Sequence, residues 1–225
     1  MQQPKWKLAL SFLKEVVIER TTSIYNDDLT VSLVKGEYQL TTNEAIYSYG
    51  LRYDNYFTAF KSIDLSKVGD SVLLLGLGLG SIPYMLERSF GKDYNYTAVE
   101  IDEEIIYLAS KYVLDDLNSE IYTVHTDAIN FVSQSEDRFD LIAMDIFVSD
   151  YIPEVFETID FLTQLKGTLS DHGILLFNRL YYYDKDKKKT EAYYHNVFLK
   201  VFPNGSKIDI NGNWILISDQ SYLKK

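Results

Sequence analysis

The chain has 225 residues, 46% of them hydrophobic, a formal net charge of −11 and no cysteine. That length buries a sizeable core, as one domain or one domain with a small appendage, and the missing thiols exclude disulfides, thiolate metal sites and cysteine nucleophiles. The acidic balance repels phosphates and disfavours nucleic acid as a partner. No apolar run approaches a membrane span and no signal-peptide pattern opens the chain, which fits a cytoplasmic protein.

Residues 1–62 do not read as part of an alternating α/β array. Residues 15–22 are β-rich, Asn26-Asp27-Asp28 is a turn signal, and the runs 29–34 and 37–42 flank Lys35-Gly36 as a hairpin would. A small antiparallel β unit is expected here, followed over 43–63 by an aromatic, partly helical linker to a second unit at 63–225. Tyr47, Tyr49, Arg52 and Tyr53 either pack that unit down or form an aromatic lid.

Residues 72–75, Val-Leu-Leu-Leu, suit a strand buried on both faces of a parallel sheet. Gly76, Gly78 and Gly80 follow at once, where a backbone can turn tightly beneath an adenosine-like ligand. A helix over 81–90 begins at Ser81, with Pro83 in its first turn. A second strand, 96–100, ends in Glu100, about 20 residues past the loop, where a doubly wound nucleotide fold places an acid for the ribose hydroxyls.

Further strands are predicted at 121–125, 140–145 and 174–178, with helices at 103–114, 127–134 and 153–169. Asp102 reads as a helix N-cap, and Asp127 as a cap or an adenine contact beside Ala128 and Ile129. Asp145 ends a buried strand at the ligand-binding edge; Asp150 and Tyr151 lie on the loop beyond, where an N-cap near Pro153 is an equal reading for them. Ser170 to Gly173 carry turn chemistry, Tyr181 to Tyr183 are expected near the substrate, and Lys185 to Lys189 in solvent. Asn211-Gly212 between two alternating runs predicts a terminal hairpin. Three scattered histidines give no metal spacing. The fold class is therefore α/β: a Rossmann-like, mostly parallel sheet with helices on both faces and a C-terminal antiparallel hairpin, plus the small N-terminal β unit.

A parallel sheet closed by an antiparallel strand resembles the class I S-adenosylmethionine-dependent methyltransferase fold, and Gly-x-Gly-x-Gly is its loop spacing. The chain resembles the spermidine synthase superfamily, both its aminopropyltransferases and its methyltransferase-like relatives. The residues that carry the resemblance are the N-terminal β unit, the loop ending at Gly80, Val99-Glu100-Ile101-Asp102, Thr126-Asp127-Ala128 and the run from Phe139 to Asp145. It implies that Gly76, Gly78, Gly80, Glu100, Ile101, Asp127, Ala128 and Asp145 bind S-adenosylmethionine or its decarboxylated form. By the same resemblance, Asp145 faces the reacting centre; with Asp150 and Tyr151 on the loop beyond it, it makes up the set of catalytic candidates.

Two departures separate the chain from true aminopropyltransferases. Their glycine loop carries an acid where this chain has Leu79, and their Asp-Ser-x-Asp-Pro run is replaced by Asp145 to Pro153 with acids five apart. The reading is a methyltransferase-like enzyme acting on a small molecule, an amine among the choices. The alternatives are a polyamine aminopropyltransferase and a non-catalytic nucleoside-binding module. The N-terminal strands offer an edge for a homodimer.

Overall fold

A computed structural model describes residues 3–43, 45–148 and 151–224. A short helix α1 (Lys5–Leu10) leads into an antiparallel sheet of β1 (Val16–Thr21), β2 (Leu29–Val34), β3 (Glu37–Thr41) and β4 (Ile46–Ser48), paired in that order. Lys35 and Gly36 both take positive φ, 52° and 85°, as a two-residue hairpin turn matched to strand twist requires. Helix α2 (Asp54–Ser62) follows.

The second sheet is seven-stranded. In chain order its elements are β5 (Ser71–Leu75), α3 (Ser81–Phe90), β6 (Asn95–Glu100), α4 (Glu103–Tyr112), β7 (Glu120–His125), α5 (Ala128–Gln134), β8 (Phe139–Met144), α6 (Ile159–Gly167), β9 (Leu169–Leu180), α7 (Asp184–Tyr193), β10 (Ser206–Ile210) and β11 (Asn213–Ile217). Spatially the strands run β10-β11-β9-β8-β5-β6-β7. All neighbours from β9 to β7 pair in parallel, while β11 is antiparallel to both β9 and β10. The hairpin thus inserts its second strand into the sheet, and its first becomes the edge. Strand order reverses between β5 and β8, and ligands of open α/β sheets bind outside the strand ends at such a point.

One face of the large sheet packs Val72, Leu74, Ala98, Leu141 and Leu176 against α2 and α3; the other packs Leu73, Leu75, Ile142, Leu175 and Phe177 against α5 and α6. These pairs of alternating residues are buried on both sides, so the strands read as continuous apolar runs. Tyr56 on α2 donates its hydroxyl to the Met144 carbonyl at 2.8 Å, which seats α2 on the large sheet. No helix among the described residues is long and apolar enough to cross a membrane.

Lys185 to Lys189, expected in a solvated loop, lie in helix α7. The Asp186 carboxylate accepts the Tyr183 N–H at 3.1 Å, and such a cap starts a run of good helix formers. The turn expected at 170–173 lies instead inside β9, where pairing with β8 shifts register. Gly173 is required there because a Cβ would stand 2.5 Å from the Phe139 carbonyl oxygen.

The small sheet is clamped to the large one. Buried Asp102 caps α4, accepting the Glu104 N–H at 3.0 Å, and also accepts Ser23 Oγ–H and Asn26 Nδ2–H from the β1–β2 connection. Glu19 on β1 takes Lys111 Nζ at 2.9 Å and the Tyr112 hydroxyl. An Asp102→Ala change removes a cap and leaves two donors unpaired, so unfolding free energy should fall by about 2–4 kcal/mol. Thermal unfolding of the variant checks this; a midpoint equal to wild type would mean that the clamp carries nothing.

Candidate functional site

At the strand-order reversal the carboxyl ends of the parallel strands enclose a cavity of about 520 Å³. Its floor is the turn after β5, where Gly76 and Gly78 have φ of 89° and 54°. The tight turn is as expected, and packing adds a second reason for glycine. A Cβ on Gly76 would stand 2.5 Å from the Asp145 carbonyl oxygen, and one on Gly78 would stand 3.0 Å from the Tyr47 carbonyl oxygen on β4. The loop is thus pressed between β8 and the small sheet, and its glycines clear this chain's own backbone. Gly80, with φ of 81°, lies off the cavity wall and opens α3; a Cβ there would meet the tip of the Leu114 side chain, not backbone.

One half of the cavity sits over β6 and β7. Glu100, at the tip of β6, turns toward the crest of β5: its Oε2 accepts the Leu77 N–H at 3.0 Å, and its Oε1 accepts the N–H groups of Ile101 and Asp102 at 2.9 and 3.1 Å. Oε2 keeps capacity for a further donor. Burial raises the Glu100 pKa, and the three backbone donors oppose that rise. Val99, Ile101, Ala128 and Ile129 add apolar wall beside it. Asp127 also lines the cavity, and its Oδ1 accepts the Ile129 N–H at 2.8 Å as the cap of α5. A carboxylate with spare acceptor capacity, flanked by a slot with aliphatic walls, has the chemistry to hold a ribose and a purine.

The other half sits over β8, β9 and β11. Asp145 Oδ2 accepts the Tyr53 hydroxyl at 2.7 Å and its Oδ1 accepts Asn178 Nδ2 at 2.9 Å. Asn213 Nδ2 donates in turn to Asn178 Oδ1 at 2.9 Å. Burial raises the Asp145 pKa, and these two donors hold it back. Burial together with the Asp145 charge pushes the Tyr53 hydroxyl well above the ordinary phenol value, so Tyr53 stays protonated and donating. Ile146, Phe147, Val148, Pro153, Val155 and Phe156 close this half with apolar surface.

Of the aromatic group foreseen as a lid, Tyr47 and Tyr53 line the cavity, while Tyr49 meets Ser81 through its backbone N–H and Arg52 is exposed. Tyr151 is 53% exposed, bridges Val148 through backbone bonds and lies off the wall, because the loop turns its side chain outward. Asp150 lies outside the described residues. Tyr181 stacks on Trp214 at 4.0 Å, and Tyr182 and Tyr183 point to solvent, so none of the triplet reaches the cavity. Leu79 is buried among Leu29, Val31, Leu40 and Leu108, tying the loop to the small sheet. Asn178 and Asn213 were missed: each sits in a strand as an ordinary polar residue, and only the antiparallel pairing of β11 with β9, with Asn213 opposite Leu180 and Ile215 opposite Asn178, brings them together. Among the described residues no cluster of His, Asp and Glu could hold a metal ion.

The fold is that of spermidine synthases and class I methyltransferases. Spermidine synthase from Thermotoga maritima superposes with a TM-score of 0.67 at 15% identity, over 90% of this chain and 72% of that one. Human methyltransferase-like protein 13 in complex with SAH superposes with a TM-score of 0.58 at 21% identity, over 72% and 78%. By sequence the chain is similar to a probable polyamine aminopropyl transferase of Bifidobacterium longum, 29% identical over 71% of this chain, and it spans 34% of that protein's length. Other curated relatives are methyltransferases. No protein-family model matches the chain.

Proposed function

We propose that the chain is a transferase of the spermidine synthase superfamily that uses S-adenosylmethionine to methylate a small molecule. The observation that carries this reading is a cavity, at the point where strand order reverses, lined both by Glu100, pinned to the Gly76–Gly78 turn, and by Asp145. Glu100 would accept a ribose hydroxyl, Ile101, Ala128 and Ile129 would flank the adenine, and the turn would pass beneath the sulfonium end. The bound nucleoside supplies an electrophilic methyl carbon with a neutral leaving sulfide, so the protein's task is placement and water exclusion. Asp145, oriented by Tyr53 and Asn178, is the group that can take a proton from an acceptor nitrogen or oxygen.

Aminopropyl transfer is the second reading, favoured by the curated relatives named polyamine aminopropyltransferase. Leu79 speaks against it: the loop position where the resemblance expects an aminopropyltransferase to carry an acid is here apolar and packed against the small sheet. Calorimetric titration with S-adenosylmethionine, its decarboxylated form and methylthioadenosine separates the readings. Preference for the carboxylated ligand supports methyl transfer; preference for the decarboxylated one supports aminopropyl transfer; binding of none removes both.

A further inference from the structure

The acceptor half of the cavity has a composition that points to a substrate class. Its polar groups gather in one patch: Tyr53, Asn55, Asp145, Asn178 and Asn213. Only one of these is a carboxylate, and it is already bonded to Tyr53 and Asn178. The described lining holds no lysine or arginine. Away from the patch the wall is aliphatic and aromatic, formed by Ile146, Phe147, Val148, Val155, Phe156 and Leu180. The apolar surface continues out to the mouth. Ile46, on β4 of the small sheet, is 54% exposed, and Val148, on the loop after β8, is 46% exposed.

Each charged nitrogen of a polyamine needs a carboxylate or water when it enters such a site, because burying an unpaired ammonium is far costlier than burying a methylene. One carboxylate serves one nitrogen. An anionic acceptor would find no cation among the described lining. A molecule with one polar head and an apolar body satisfies both halves: the head meets Asp145 and the amides, and the body covers the aliphatic wall and the exposed mouth.

Resting on the methyl-transfer reading above, we infer that the acceptor carries a single protic nitrogen or oxygen on an apolar body and is not a polyamine. The test is calorimetry at about 0.15 M salt, where long-range attraction of cations to this acidic chain is screened. The protein saturated with S-adenosylhomocysteine is titrated with butylamine, hexylamine, 1,6-diaminohexane and spermidine. Affinity should rise about fourfold per methylene from butylamine to hexylamine, and hexylamine should bind at least about tenfold more tightly than the diamine of equal length. Val148→Asp, which puts a carboxylate on the apolar wall at the mouth, should narrow or reverse that preference. Equal or tighter binding of 1,6-diaminohexane or spermidine to the wild type overturns the inference. Should S-adenosylhomocysteine itself fail to bind, the methyl-transfer reading falls, and the same series on the protein alone still decides the amine preference. Absence of binding by every amine in both states also overturns it.

Discussion

Asp145→Asn should lower turnover about 10²–10⁴-fold with any protic acceptor that supports the reaction, the range expected when a positioned base is removed. Affinity for methylthioadenosine, which lacks the aminoacyl end, should change less than about threefold, since its nucleoside belongs to the Glu100 half of the cavity and the Asn oxygen still accepts the Tyr53 hydroxyl, leaving only the Asn178 amide without its acceptor. The pH profile supplies the sign. A base acts deprotonated, and burial raises the Asp145 pKa above 3.8, so the wild-type rate should fall as pH drops through that raised value. The variant should show no such limb. Stability runs the opposite way. A carboxyl whose pKa is higher in the folded state favours folding when protonated, and this contribution is lost as pH rises through the folded pKa. Asp145→Asn should therefore flatten that decline. A variant with wild-type turnover and an unchanged acid limb would remove Asp145 from the chemistry.

Gly76→Ala should cost about 3–5 kcal/mol, combining a non-glycine residue at φ 89° with a Cβ 2.5 Å from the Asp145 carbonyl oxygen. For a chain of this size that lowers the unfolding midpoint by about 10 °C. Because the clash is with backbone, relief requires β5 and β8 to part at the cavity floor, so nucleoside affinity should fall as well. Gly91→Ala is the control: φ is 63° but nothing lies within 4 Å of the added carbon, and the loss should be only about 1–2 kcal/mol. Equal effects at the two positions would show that the strain is local and that the tight seam at Gly76 is unimportant.

What could be read from residues alone follows from how local each signal is. The strand ending at Leu75, the start of α3 at Ser81 and the caps Asp102 and Asp127 are set by short-range pattern and capping chemistry, and the structure places them where the pattern puts them. The Ser81 hydroxyl, expected to cap α3, instead bonds the Ser48 hydroxyl and the Tyr49 N–H, because β4 of the small sheet packs against it. Glu100 was legible because a fixed spacing along the chain brings it to the loop. The Asn178–Asn213 pair was not, since its partners meet only through the antiparallel insertion of β11 beside β9. The glycine loop was located correctly and explained incompletely. Its positive φ values follow from sequence, but the crowding by Asp145 and Tyr47 is a tertiary fact. Lys185 to Lys189 read as loop because the lysines look like a solvated run, and the Tyr183–Asp186 cap that starts α7 carries no Ser or Thr signature.

The central claim is that a carboxylate at the tip of β6, held against the turn after β5, grips the sugar of an adenosyl ligand. Titration of S-adenosylhomocysteine into the wild type and into Glu100→Gln tests it most directly. Removing the charge from a hydrogen bond of this kind should weaken binding by about 1.5–3 kcal/mol, roughly tenfold or more, while far-ultraviolet circular dichroism stays unchanged. Equal affinity in the two proteins, or no binding to the wild type, would contradict it.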